Sequence, residues 1–196
     1  SASTTAGFSI VSYTGTGSNA TVGHSLGAVP SVIIVKDRST SSRDWMFYNK
    51  NVGNTKYLKL NETDAETTSN TVWNNTTPTS SVFSIGTNSY VSGNTKTFIA
   101  YCFAEKQGFS KSGSYTGNGQ ESNGTMVYLG FSPSFVLTKR SDSADGWRIY
   151  DNKRSTSSSN PVDKHLTPNS NGSESVNTTN GVPDGFDFLS NGFKIR

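Results

Sequence analysis

The sequence predicts an all-β protein made of two tandem, sequence-related β-sandwich repeats of jelly-roll type with almost no helix. Three observations predict it. Only 16% of the 196 residues are charged, and the polarity is carried instead by Ser, Thr, Asn and 19 Gly, residue types that favour turns and strands over helix interiors. The apolar residues, 31% of the chain, fall in strand-length runs bounded by Gly, Asn, Ser or Thr clusters, and no window shows a capped 3.6-residue period. Finally, the line "GFSIVSYTGTG" at Gly7 to Gly17 returns as "GFSKSGSYTGNG" at Gly108 to Gly119.

Taken in order, Phe8, Ile10 and Ser12 alternate with Ser9, Val11 and Tyr13, the period of a strand with two unlike faces. "SVIIVKD" is a short apolar run ending in a charged turn, and "YLKLN", "SVFSIG" and "FIAYCF" are further strand-length segments. The repeat continues through them. Leu26-Gly27 and Pro30 to Lys36 are echoed by Leu129-Gly130 and Pro133 to Lys139, and "DWMFY" by "GWRIY", with Trp45 matching Trp147 and Tyr48 matching Tyr150. Beyond this the register drifts, and Phe83-Ser84-Ile85 aligns with Phe193-Lys194-Ile195. This places one repeat at 1–106 and a second at 107–196, each of about seven strands with a short join at Lys106-Gln107. A single sandwich fused from both halves is the alternative. "TKTFIAYCFAE" (Thr95 to Glu105) has no counterpart in the second repeat, so that repeat should lack its last strand and present an open sheet edge.

Composition also narrows the function. A net charge of +3 with scattered Lys and Arg lacks the basic stripe that tracks a phosphate backbone, so nucleic acid is not expected as a partner. No apolar run approaches the roughly 18 residues of a membrane span, and the start "SASTTAGF" is unlike a secretory signal. The absence of an initial Met suggests a mature or trimmed piece of a longer chain. Cys102 is the single cysteine, which excludes an internal disulfide and reads as a small core residue.

No motif calls for a cofactor or a metal. The glycines of "YTGTG" and "YTGNG" fit tight turns better than phosphate cradles, since no helix follows them. "SDSADG" (Ser141 to Gly146) lacks the alternating ligands of a calcium loop and reads as an Asx-rich turn. His24 and His165 sit in no triad or zinc spacing. Asp142, Asp145, Asp151 and Asp187 are the carboxylates a glycoside hydrolase would draw on, each equally suited to a turn. The Asn-X-Ser/Thr sequons, among them Asn61, Asn75 and Asn123, are expected by chance in so Asn-, Ser- and Thr-rich a chain.

What recurs is the aromatic pair. Residues three apart on a strand face opposite ways, so of Trp45 and Tyr48, or of Trp147 and Tyr150, one should fill the core while the other lies on the surface. With Arg43 and Asp44 beside the first pair, and Asp145 and Arg148 beside the second, the outward aromatic is a candidate platform for stacking a sugar ring.

Several of these segments carry a resemblance. "GFSIVSYTGTG", "HSLGAVPSVIIVKDRS", "DW", "WNNTTPTSSVFSIG", "FIAYCFAEKQGFSKSGSYTGNG" and "FLSNGFKIR" resemble a family of repeated β-domains in tail-associated or fibre-like virion proteins of tailed, especially marine, bacteriophages. The resemblance covers essentially the whole chain. It implies a virion location, other virion or like subunits as partners in a homo-oligomer, and no catalytic residue; it also implies a further strand after "GFKIR". Pro30 and Trp45 match the family pattern, while "GHSLG" and "YNKNVG" are loop variants. The expectation is a non-enzymatic tail or fibre module attaching to host-surface glycan. The alternatives are a subunit of an extracellular filament or adhesin assembled by strand exchange and, after it, a capsule-degrading hydrolase.

Overall fold

The computed structural model describes residues 1–120, 123–155, 160–176, 178–179, 182–183 and 185–196. Strand accounts for 37% and helix for 2%, so the protein is all-β. The chain divides into two compact units, Ser1–Lys106 with Ser141–Asp145, and Gln107–Arg140 with Gly146–Arg196. The loop Ser141–Asp145, placed in the second repeat by sequence, is counted with the first unit. Its backbone is tied there by bonds from Glu66 N–H to Ser141 O (2.8 Å) and from Asp145 N–H to Thr63 O (2.9 Å).

The first unit holds β1 (Ala2–Ser3), β2 (Phe8–Thr14), β3 (Ala20–Gly23), β4 (Val32–Asp37), β5 (Met46–Asn49), β6 (Lys56–Lys59), β7 (Thr67–Thr68), β8 (Val82–Ile85) and β9 (Thr97–Phe103). Seven of them form one antiparallel sheet in the order β1-β2-β9-β4-β5-β6-β7, and β3 pairs with β8 in a separate ribbon. β9, the last strand of this unit in sequence, lies third in that order, between β2 and β4. It pairs with β2 from Phe8↔Phe103 to Thr14↔Thr97 and with β4 from Val32↔Phe103 to Asp37↔Phe98.

Alternation does the sorting. Ile33 and Val35 of β4, and Phe98, Ala100 and Cys102 of β9, are fully buried and meet Val22 of β3 and Phe83 and Ile85 of β8 in one core. Sheet and ribbon thus face each other as a β-sandwich-like pair of layers. A single helical turn, α1 (Ser89–Ser92), adds Val91 to this core; Asn88 caps it by accepting the Tyr90 N–H at 2.9 Å. Gly86 is required by a close approach, since a Cβ there would lie 2.2 Å from the Thr71 carbonyl oxygen.

The second unit contains β10 (Met126–Tyr128), β11 (Phe135–Thr138), β12 (Arg148–Asp151), β13 (Lys164–Leu166), β14 (Ser175–Val176), β15 (Thr178–Thr179), β16 (Val182–Pro183), β17 (Phe186–Leu189) and β18 (Gly192–Ile195). Its sheets are β11-β12-β13-β14, β10-β18-β17 and the ribbon β15-β16. Val136, Tyr150, Val162, Phe186 and Phe193 form its core.

Several local geometries occur in both units. Ile33 lies opposite Tyr48 and Val136 opposite Tyr150. Phe83 lies opposite Val22 and Phe193 opposite Val127. The Trp45 N–H donates to Asn61 Oδ1 at 2.8 Å, and the Trp147 N–H to Asn169 Oδ1 at 2.7 Å. Lys56 pairs with Glu66, as Lys164 does with Glu174 at 3.0 Å. One expected strand is absent. The counterpart of β2, Phe109 to Tyr115, carries no strand, and among the described residues β11 pairs with β12 alone and is an edge.

Candidate functional site

The recurrent aromatics sort in an order sequence left open. Tyr48 shares the inward face of β5 with Met46, and both belong to the core, where the Tyr48 ring stands edge-on to Trp73 at 5.7 Å. Burial raises its hydroxyl pKa. Tyr150 is the matching core residue, with its ring 4.4 Å from Phe186. Trp147 is only 2% exposed, so none of these three offers a ring face to a ligand. Trp45, just before β5, is half-buried, stacks on Tyr101 at 6.4 Å and has Lys36 Nζ 5.5 Å from its ring. The buried tryptophan of the first core is Trp73, which the repeat pattern did not single out because it has no second copy.

The charged neighbours of Trp45 are engaged. Asp44 pairs with Lys59 at 3.2 Å and accepts the Asn61 side-chain N–H at 2.9 Å. Arg43 lies over the Tyr90 ring at 4.7 Å, and its Nε is 4.0 Å from Asp37 Oδ2. Asp37 is buried, which by itself would raise its pKa, but bonds from the Ser39 N–H, the Ser39 hydroxyl and the Thr40 N–H hold the carboxyl below the usual range. In the second unit Arg148 donates to the Trp147 carbonyl at 3.3 Å; Asp145, in the loop that belongs to the first unit, is exposed.

The candidates for acid–base chemistry are similarly occupied. His24 is fully buried; its Nδ1 accepts the Leu26 N–H at 3.2 Å, and its Nε2 lies 3.1 Å from the Thr79 carbonyl. With the Leu26 N–H at one ring nitrogen and the Thr79 carbonyl at the other, the His24 side chain staples the turn after β3. His165 is buried in the second unit, 5.6 Å from the Tyr150 ring. Asp187 pairs with Arg196 at 2.8 Å. Asp151 resists burial's upward push on its pKa, because Arg154 and the Lys153 N–H favour the charged form and hold it low. No group of three or more His, Cys, Asp or Glu is placed to hold a metal among the described residues. No helix among them is long and apolar enough to cross a membrane.

A concave site lies elsewhere in the first unit, at the end of the sheet where β4 starts and β9 finishes. It is a cleft of about 380 Å3. Val29 and Pro30 form an apolar wall, Tyr48 the inner side, and Lys50, Asn54, Thr77 and Glu105 a polar rim. Lys50 Nζ is 2.6 Å from Glu105 Oε1, and Asn54 donates its side-chain N–H to Thr77 Oγ1 at 2.8 Å. Val29 is 53% exposed, an apolar surface beside charged and amide groups. Tyr48 was a candidate through the repeated aromatic pair, and Pro30 through the repeated Leu-Gly and Pro-Ser steps; sequence reasoning missed the others because they come from separate loops and Glu105 has no repeat counterpart.

A family model described as "Domain of unknown function (DUF7483)" matches residues 1–196. No curated protein matches this chain, and no solved structure does.

Proposed function

Because the chain belongs to the DUF7483 family, which carries no assigned activity, we propose its function from its own geometry: a non-catalytic binding module of a bacteriophage tail or fibre that takes a host-surface glycan in the cleft of the first unit. The cleft is the observation that carries this reading. A pyranose has an apolar C–H face and a ring of hydroxyls, and a site for it needs an apolar wall beside charged and amide groups that exchange hydrogen bonds. Val29 and Pro30 against Lys50, Glu105, Asn54 and Thr77 supply that pairing. The Lys50–Glu105 and Asn54–Thr77 bonds hold the rim in place before a ligand arrives, which lowers the ordering cost of binding. Affinity per site is then modest, and several copies in an oligomer would multiply it.

The tail context rests on the resemblance of the segments quoted above. Non-catalytic character is supported by the carboxylates and histidines. A hydrolase needs a general acid whose pKa is raised, whereas Asp151 is held low, Asp187 is paired with an arginine, and both ring nitrogens of His24 are occupied.

The test is a glycan array probed with the whole chain, followed by calorimetry on any hit. Lys50→Ala and Asn54→Ala should each weaken binding about tenfold, near 1.4 kcal/mol, while leaving the unfolding midpoint unchanged. Binding that survives both substitutions but is lost in Trp45→Ala would move the site to the Trp45 ledge. Release of sugar from a hit would overturn the non-catalytic reading.

A further inference from the structure

We propose that the cleft of the first unit selects a neutral 2-acetamido sugar, an N-acetylated hexosamine, by taking the acetamido group onto its apolar floor, where the Tyr48 hydroxyl donates to the acetyl carbonyl. This rests on the glycan reading of the cleft and narrows its ligand to one class.

The lining changes character from its exposed to its buried residues. The polar groups of Lys50, Glu105, Asn54 and Thr77 and the exposed Val29 make the rim, whereas the remaining apolar lining is short and aliphatic, with Pro30 buried and Ala104 only 2% exposed. Among these buried residues Tyr48 brings a side-chain polar group that the protein itself does not use. The residue is 3% exposed, and its hydroxyl forms no hydrogen bond among the described residues: burial alone raises its pKa, with no bonding partner or charge contributing. Nor is that oxygen sealed from solvent. The ring stands edge-on to Trp73 at 5.7 Å, so the hydroxyl is held in place before a ligand arrives.

A floor of this kind asks for a small group with a methyl at one end and an acceptor beside it. An acetamido group has both: its methyl packs on Ala28, Pro30 and Ala104, and its carbonyl oxygen accepts the Tyr48 O–H. A plain hexose would set a hydroxyl against those aliphatic groups and leave them uncovered, and an unacetylated hexosamine would bring a charge there, which is costlier still. An acidic sugar gains nothing at the rim, because the Lys50 ammonium is already neutralised by Glu105 at 2.6 Å. The volume of about 380 Å3 lies at the small end of the roughly 300–1,000 Å3 of ligand sites, which suits one sugar residue with its substituent.

The probes are the methyl glycosides of N-acetylglucosamine, N-acetylgalactosamine, glucose and galactose, titrated into the whole chain and followed by saturation-transfer NMR. At least one acetylated sugar should bind about tenfold or more tighter than its plain counterpart, with the strongest transfer at the acetyl methyl. Tyr48→Phe keeps the core ring and removes only the hydroxyl; it should weaken the acetylated sugar about tenfold and leave both the plain hexose and the unfolding midpoint unchanged. That change in selectivity separates a ligand contact from a structural role. The proposal is overturned, and the glycan reading kept, if acetylated and plain sugars bind alike, if Tyr48→Phe weakens both equally or neither, or if the glycan array shows binding only to sugars without an acetamido group. Absence of binding to any glycan overturns both.

Discussion

At Cys102 and Asp37 the interior of the first unit sets protonation in opposite directions. Burial pushes the Cys102 thiol up to about 12 from 9.0, and burial likewise raises the Tyr13 hydroxyl. Each group is held protonated more tightly folded than unfolded. Their contribution to stability is therefore complete below the unfolded value of about 9 and is lost as pH rises through the folded values. The thermal midpoint should stay level to about pH 8.5 and then fall, and Cys102 should react with a thiol reagent at pH 8 only after urea unfolds the chain. A rapid reaction in the native protein would contradict its placement. Asp37 runs the other way: its folded pKa is low, so its contribution is present above the ordinary carboxylate range and is lost as pH falls through the folded value. Asp37→Ala strips the acceptor from the Ser39 and Thr40 N–H groups and leaves Arg43 without its counter-charge. It should cost about 3 kcal/mol in urea denaturation. Of these two roles only that of Cys102 was legible beforehand. Cys102 was read as a core residue from its apolar flanks, but nothing in "VIIVKDRS" distinguishes a buried aspartate from one at a charged turn.

Among the elements, the segments around the two tryptophans follow one local scheme, in which an asparagine from the next hairpin receives the Trp45 or Trp147 N–H. Asn61→Ala and Asn169→Ala should each destabilise their own unit by about 1 kcal/mol, read by hydrogen exchange at β5 and β12. Equal effects on both units from one substitution would refute this local assignment. The correspondence of Asn61 with Asn169, and of the Lys56–Glu66 and Lys164–Glu174 pairs, escaped the sequence comparison. The loop between β5 and β6 is shorter than that between β12 and β13, so the register shifts before these residues are reached. Strands themselves were easier to see, because alternation survives in the sequence of β2 and strand-length apolar runs mark β4 and β9. The absence of a strand from Phe109 to Tyr115 was not, since that segment keeps the Gly-Phe-Ser and Tyr-Thr-Gly signature of β2. A strand exists only with a partner to bond, and among the described residues the second unit contains no equivalent of β9.

At the scale of the whole molecule, the described residues form two cores with no residue in common. Ile33→Ala, at a fully buried position of the first, should destabilise that core by about 3 kcal/mol and leave exchange at β12 and β17 unchanged; a loss of protection there would show that the cores unfold as one. By itself the sequence determined the all-β class, the positions of the long strands and the core role of Cys102, because hydrophobic period and turn residues act over a few neighbours. Only the tertiary structure decided which aromatic of each pair turns inward, which loops meet at the cleft and where β9 inserts. Those outcomes depend on contacts between residues tens of positions apart. There, burial of whole faces and completion of backbone hydrogen bonds outweigh the local preferences that can be read along the chain.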